Sequence, residues 1–580
     1  MLRAFREWAV AVVAGLAVAL SSLAEPPGAH ATSIDVTVDG GRRYQTISAL
    51  GADINPHSWD NGNLKPALDL LIDKGGMKTF RVGMDMLDWE SSNDNSDPRT
   101  FNWSYYDPIY SGQTSFDTQY AGSNFANTWH VIDYLRHKGV PARDIELSFM
   151  GPGASWMGGS SLTSGKEAEF VEEVVSAAYY GYRHGHTFGL FSPDNEMDIS
   201  SNEGVQMSDT QYADVLNRVA RRMNALGMTR VKLVGPESCC TTGYAEPMKK
   251  YPTLMAKLAH FDFHNYNGDD NGAAAVVAGT GKGFWISEFA NFDQAFTYLD
   301  QGAAGLLMWE AYDSVYNHAV LNGRGSDPGN DSLSFGDIPL LAYHPSTRTY
   351  TPRSEFYFFA QLFKWVPIGS RRIYASSASG VKIEAFHDPA TSRLTLVGDN
   401  NSGSSQTVSI ALEHLAAPTV LRYYRTNLST HLARGADVRV RAGSATVTVP
   451  ADTTFTLTGR APVRLSGVQY DSPGQDTGTN VSLNREWARI TNHGTSRRTL
   501  TGWTVGDREG NVYRFRTFVL RSGRSVTLHT GRGRNTATDL FWGRTRYAWK
   551  NTGDTATLKN RAGTTVGTCR WGDGTGSITC

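Results

Sequence analysis

Gly189-Leu190-Phe191-Ser192-Pro193-Asp194-Asn195-Glu196-Met197-Asp198 is the stretch on which the reading of the chain turns. An apolar run halts at Pro193 and an Asn-Glu pair follows, the pattern of a buried strand that presents a carboxylate at its end. Ninety-two residues after Glu196 the pattern returns in Gly283-Phe284-Trp285-Ile286-Ser287-Glu288-Phe289. Two acids at the ends of two buried strands point to one cleft holding two carboxyl groups.

Outward from these strands, residues 48–366 alternate short apolar runs with helical patterns. Strands are predicted at 50–54, 79–84, 145–150, 188–193, 231–235, 261–266, 284–289 and 306–311. Helices are predicted at 65–74, 131–138, 167–182, 212–226, 248–259, 292–299 and 355–365. Eight strands separated by helices make a parallel (β/α)8 barrel of the TIM type. A doubly wound open sheet is the alternative, but no Gly-x-Gly-x-x-Gly follows the first strand. Two connections, 88–127 and 313–353, are longer than a barrel needs and leave from strand ends on the carboxyl face, where they are expected to wall a groove.

The flanking regions differ in character. Residues 1–31 have a basic start, an apolar run from Trp8 to Leu20 and a small-x-small site at Ala29-His30-Ala31, so they read as a signal peptide of an exported chain. No other segment is long and apolar enough to span a membrane. Residues 32–47 form an isolated alternating strand, expected to join a β-sandwich module predicted over 367–466. A hinge near Gly467 then leads to a second all-β region, 468–580. The fold class is therefore α/β, with a barrel, an associated β-sandwich and a C-terminal immunoglobulin-like domain.

Composition narrows the partners. The 580 residues carry a net charge of −1, yet from Val468 onward 17 Lys and Arg face 8 Asp and Glu, giving that region +9. Such a tail is expected to dock on an acidic polymer or cell surface, or to be a solvated Arg-rich face. Nucleic acid is not expected, because no aromatic-basic reading motif accompanies the charge. Four cysteines occur. Cys569 and Cys580 close a short loop and are expected to pair, while adjacent Cys239 and Cys240 read either as a vicinal disulfide or as two buried thiols. No zinc spacing, phosphate loop or Gly-x-Ser-x-Gly elbow is present, and neither metal nor cofactor is expected.

Glycosidic bond cleavage needs one carboxyl group to protonate the leaving oxygen and a second to attack the anomeric carbon. Glu196 and Glu288 are the candidates. With them, Gly51-Ala52-Asp53, Arg81, Ser155-Trp156-Met157, His264-Asn265-Tyr266 and Met308-Trp309 fall on successive barrel strands. This set resembles the clan A glycoside hydrolases, and family 30 most closely, over residues 33–466. The resemblance implies that Glu196 is the acid/base and Glu288 the nucleophile. It further implies that Asn195 bonds a sugar hydroxyl, that Arg81 keeps Glu288 ionised, and that His264 and Tyr266 orient Glu288 and the sugar. Trp156 and Trp309 are implied as stacking surfaces, and Asp53 as a sugar contact. Family 30 activity implies a secreted retaining enzyme on β-1,6-galactan, β-1,6-glucan or xylan. A non-catalytic carbohydrate-binding protein on the same fold is the competing reading. Residues 468–580 resemble a bacterial lamin-tail-like domain through Glu486-Trp487, Leu500 to Trp503, Tyr513 to Phe515 and Val526 to Gly533.

Overall fold

The computed structural model describes residues 33–111 and 125–580, apart from 201–202, 265, 267–271, 290, 310, 314–338, 345 and 575. The expected signal peptide and the middles of both long connections lie outside the described residues.

The chain opens with β1 (Ser33–Thr46) and then lays down β2 (Ala49–Ile54), β3 (Thr79–Asp85), β4 (Ile145–Met150), β5 (Leu190–Ser192), β6 (Lys232–Leu233), β7 (Pro236–Ser238), β8 (Phe261–Phe263), β9 (Phe284–Phe289) and β10 (Gly305–Met308). From β2 onward these pair in parallel in the order β6-β5-β4-β3-β2-β10-β9-β8-β7. β6 and β7 are two halves of one strand separated by Val234 and Gly235, so the nine pieces close into an eight-stranded barrel. The ladder continues across the break: Val234 N–H donates to Phe191 O and Asp262 N–H to Gly235 O, each at 3.0 Å.

A fifth strand running unbroken over 231–235 is therefore a misreading. Of that span only Lys232–Leu233 pairs as a strand with β5, and pairing with β8 begins at Pro236, opposite Asp262. The fourth strand is also shorter than expected, and the sixth ends at Phe263 rather than 266. Around the barrel, the helix Glu167–Arg183 buries Phe170, Val174 and Val175, and the helix Asp209–Ala225 buries Tyr212, Leu216 and Val219, at the 3–4-residue spacing that puts them on one face. Ser208 caps the second of these by accepting from Gln211 N–H at 3.2 Å. In the first long connection the helix Trp103–Ser111 is held by aromatic stacking, with Trp89 lying 4.2 Å from both Tyr106 and Phe125. Tyr106 is buried in the barrel core, and the partly buried Trp103, Tyr105 and Tyr110 pack against it.

β1 sits in the sandwich sheet, antiparallel to Arg371–Ala375 and parallel to Gln406–Glu413. Strands at Val381–Asp388, Arg393–Asn400, Val420–Asn427 and Thr453–Arg460 extend that sheet. Arg372 anchors it to the barrel by pairing with Asp300 of the helix Phe292–Gln301 while also bonding Glu384.

The C-terminal domain begins earlier than its composition suggests. Gly467, expected as a hinge, lies inside the strand Val463–Gln469, which pairs with Trp487–Asn492. Val463, Leu465 and Val468 are buried in that domain's own core, so only Ala461-Pro462 separates the two sheets. Further strands at Thr504–Gly506, Asp554–Lys559 and Thr565–Trp571 form the opposing sheet. Cys569 and Cys580 are bonded to each other, and so are Cys239 and Cys240.

Candidate active site

Glu196 stands just past β5 with φ +46°, a left-handed conformation that a non-glycine residue holds only where its surroundings enforce it. Three contacts enforce it here. Its N–H donates to Glu237 O at 3.0 Å, Asn195 N–H and Val205 N–H both donate to the buried Asp194 carboxylate, and Gly204 lets the backbone pass so close that a Cβ there would lie 1.5 Å from Asn195 O. Glu288 belongs to β9, two strands from β7 around the barrel. Both carboxyl groups are buried, with the residues 6% and 5% exposed.

The two acids meet at His264. One oxygen of each carboxylate and a nitrogen of the ring lie within 4.8 Å of one another. Nδ1 is 2.8 Å from Glu196 Oε1 and 3.4 Å from Glu288 Oε2. Burial alone would push the imidazole down, but the Glu288 charge and the bond to Glu196 raise it to about 9. His264 is thus a cation between two acids at neutral pH.

Donors are shared unequally between the pair. Arg81 Nη1 donates to Glu288 Oε1 at 2.6 Å and Tyr266 Oη donates to Oε2 at 3.0 Å, with the His264 ring 3.4 Å away as a charge partner. Glu196 receives only His264. The Tyr266 ring is 47% exposed, so it faces the open cleft while its hydroxyl reaches down to Glu288.

Arg81 holds Glu288 ionised less completely than its position implies. Burial raises the Glu288 carboxyl, and the charges of His264 and Arg81 oppose that rise without cancelling it. The reason is that Arg81 is divided. Its Nε and Nη2 form a fork on Glu237 at 3.2 and 2.8 Å, and Nη2 also donates to Asn195 Oδ1 at 2.5 Å. Glu237 has φ +54° and also accepts from Ser148 Oγ at 3.0 Å. Burial would raise Glu237, but the Arg81 charge and the neighbouring Glu146 carboxyl outweigh it and hold it at about 2. Glu237 is the residue that sequence reasoning missed; a buried acid directly after Gly235-Pro236 is the signal that marks it.

The other expected residues divide. Asn195 is fully engaged through Oδ1, while its Nδ2 donates to Glu203 O at 3.1 Å. Asp53 pairs in register with Arg81, lies 3.5 Å from its Nη1 and is 3% exposed; burial raises it well above the ordinary carboxylate range. Trp309 lines a recess with Asn55, His57, Asp85 and Glu203. Trp156 donates its indole N–H to Glu90 O at 3.4 Å and has Lys166 over its ring at 5.0 Å.

A bracket ties the two halves of the site. Asp198 accepts the backbone N–H groups of Cys239 and Cys240, each at 2.9 Å, and Cys239 O accepts Tyr266 N–H at 3.0 Å. The Cys239–Cys240 turn therefore links the segment carrying Glu196 to the tyrosine on Glu288.

Solved structures share this architecture. A glycoside hydrolase family 30 subfamily 8 xylanase from Clostridium acetobutylicum superposes with a TM-score of 0.55 at 15% identity, over 74% of this chain and 100% of that one. The barrel and sandwich share the fold of that enzyme. A family 30 endoxylanase from Clostridium papyrosolvens C71 matches at 0.54 and 17% identity, over 74% of this chain and all of the other. An endo-β-1,6-glucanase matches at 0.52 and 13%, over 73% and 94%. No curated protein matches by sequence. Residues 456–573 match the family model of the lamin tail domain. That model starts within the last sandwich strand, Thr453–Arg460, and covers the C-terminal core.

Proposed function

We propose that the chain is a retaining glycoside hydrolase, exported from the cell, that cleaves a β-linked polysaccharide of the xylan, β-1,6-glucan or β-1,6-galactan type. One observation carries the reading: one oxygen of Glu196 and one of Glu288 lie against the same His264 nitrogen, at 2.8 and 3.4 Å, so the two carboxyls share one small cleft. Retaining enzymes hold their carboxyls about 5–5.5 Å apart, whereas inverting ones need about 6.5–9.5 Å to admit a water.

In this mechanism Glu288 attacks the anomeric carbon as Glu196 gives its proton to the leaving oxygen. A glycosyl ester on Glu288 results, and water, deprotonated by Glu196, then hydrolyses it. Arg81, Tyr266 and His264 stabilise Glu288 as the leaving carboxylate of the second step. The remaining N–H of Asn195 Nδ2 is left for the hydroxyl beside the reacting carbon. Two disulfides fit an oxidising compartment, and among the described residues no helix is long and apolar enough to cross a membrane. A fold shared with family 30 xylanases and with an endo-β-1,6-glucanase supports the substrate class.

Release of reducing ends from a panel of plant, fungal and bacterial polysaccharides tests the proposal. Glu196→Gln should lower kcat by about 10²–10⁴-fold on natural linkages; on activated aryl glycosides, whose leaving groups need no proton, it should spare formation of the glycosyl ester but slow its hydrolysis, giving a burst followed by slow turnover. Glu288→Gln should abolish both. Release indifferent to either change rejects the mechanism, and binding without release from any polymer favours a carbohydrate-binding protein.

A further inference from the structure

A cleft of about 660 Å³ lies where the sandwich meets the C-terminal domain, far from the barrel mouth in sequence and built from other strands. Its lining includes Arg393, Arg422, Arg460, Arg464, His493 and Trp365. Three of the arginines share one sheet face by register. Arg393 is directly opposite Arg460, and Arg422 is opposite Thr458, two residues from Arg460 on the same side of that strand. Arg464 enters from the strand Val463–Gln469 of the neighbouring domain.

Like charges placed directly across a sheet repel, and this arrangement has little to relieve it. Asp437, the one acid on the lining, is paired with Arg434. Asp388 is near Arg393, but its carboxylate already accepts Ala390 N–H and the Thr391 hydroxyl. Burial and the neighbouring arginines push Arg393, Arg464 and His493 all below their ordinary values. Two donors are buried with no hydrogen-bond partner, Arg393 Nε and the Trp365 indole N–H. Four guanidinium groups, one with its Nε–H idle, and the idle Trp365 indole N–H around one hollow form a receptor for oxyanions, and guanidinium forks match carboxylates bidentately.

We infer that this cleft binds a carboxylate-bearing polysaccharide segment, a run of uronate sugars, and so anchors the chain on acidic glycan. The volume favours this over a free anion, because a single phosphate or sulfate would fill only a small part of it. The preference for a glycan over other polyanions rests on the hydrolase reading; the anion site itself rests on the arginines.

Calorimetric titration of the full chain with trigalacturonate tests the inference, alongside a neutral trisaccharide, inorganic phosphate and a short DNA duplex. Trigalacturonate should bind with an affinity that falls as salt rises, and the neutral sugar should not bind. Arg393→Gln with Arg460→Gln should weaken binding about tenfold or more, the effect of losing one strong charge-assisted contact. The same double variant should melt no lower than the parent without ligand, since it relieves repulsion, and should lose the ligand-induced rise in Tm. Absence of trigalacturonate binding, or equal binding by the double variant, overturns the site. Phosphate or DNA held as tightly through the same arginines overturns the glycan assignment. Repeating the titration with Glu196→Gln separates the two proposals: binding there with no hydrolysis by the parent would sink the enzyme reading alone.

Discussion

His264 and Glu237 set the electrostatics of the barrel mouth, and each gives stability a pH dependence of opposite sign. His264 is raised to about 9, above its ordinary 6.5, so the contribution of its charge is complete below about pH 6.5 and is lost as pH climbs to about 9. Glu237 is held at about 2, below its ordinary 4.5, so its contribution is present above pH 4.5 and is lost as pH falls towards 2. Chemical denaturation across pH should show both limbs. His264→Asn should flatten the alkaline limb, and an unchanged slope would contradict the bridging role. Glu237→Gln should lower stability by about 3–5 kcal/mol, because it leaves Arg81 with half its fork unanswered; denaturant midpoints will show it. Glu196 and Glu288 are legible in the sequence because each ends an apolar run. Glu237 is not, since the apolar run before it ends at Val234 and a Gly-Pro pair reads as a turn.

At the scale of elements, the Asp198 bracket is the feature to probe. Asp198→Asn would replace one of two acceptors with an NH2 group facing a backbone N–H. A cost of about 1–3 kcal/mol and a lower kcat at little-changed KM are expected, because the change shifts Glu196 against Tyr266 without touching substrate. A loss confined to stability would assign the bracket to folding alone. The alternation of strands and helices across 48–366 makes the barrel readable from periodicity. The interrupted fifth strand is not readable, because its two halves are held by neighbours distant in sequence, Phe191 and Asp262. Thr453–Arg460 escaped notice although it alternates Thr with Phe and Leu, and it is the strand that brings Arg460 opposite Arg393.

Across the whole molecule, the early strand Ser33–Thr46 completes a sheet otherwise formed by residues beyond 370. β1 lies between two sandwich strands, and Val36 and Val38 are buried in that core. A chain beginning at Ala49 should therefore lose the sandwich and its Arg372 anchor to the barrel, giving insoluble protein; a soluble, cooperatively melting product would show β1 to be dispensable. Domain order is legible from composition, but the junction at Ala461-Pro462 is not, because the strand after it alternates like the one before. The most direct test of the two-carboxylate account is to trap the intermediate. A 2-fluoro glycoside with a good leaving group, incubated with the protein and analysed by peptide mass spectrometry, should place one sugar on Glu288, and Glu288→Gln should remain unlabelled. Labelling at another residue, or turnover with inversion and no adduct, would contradict it.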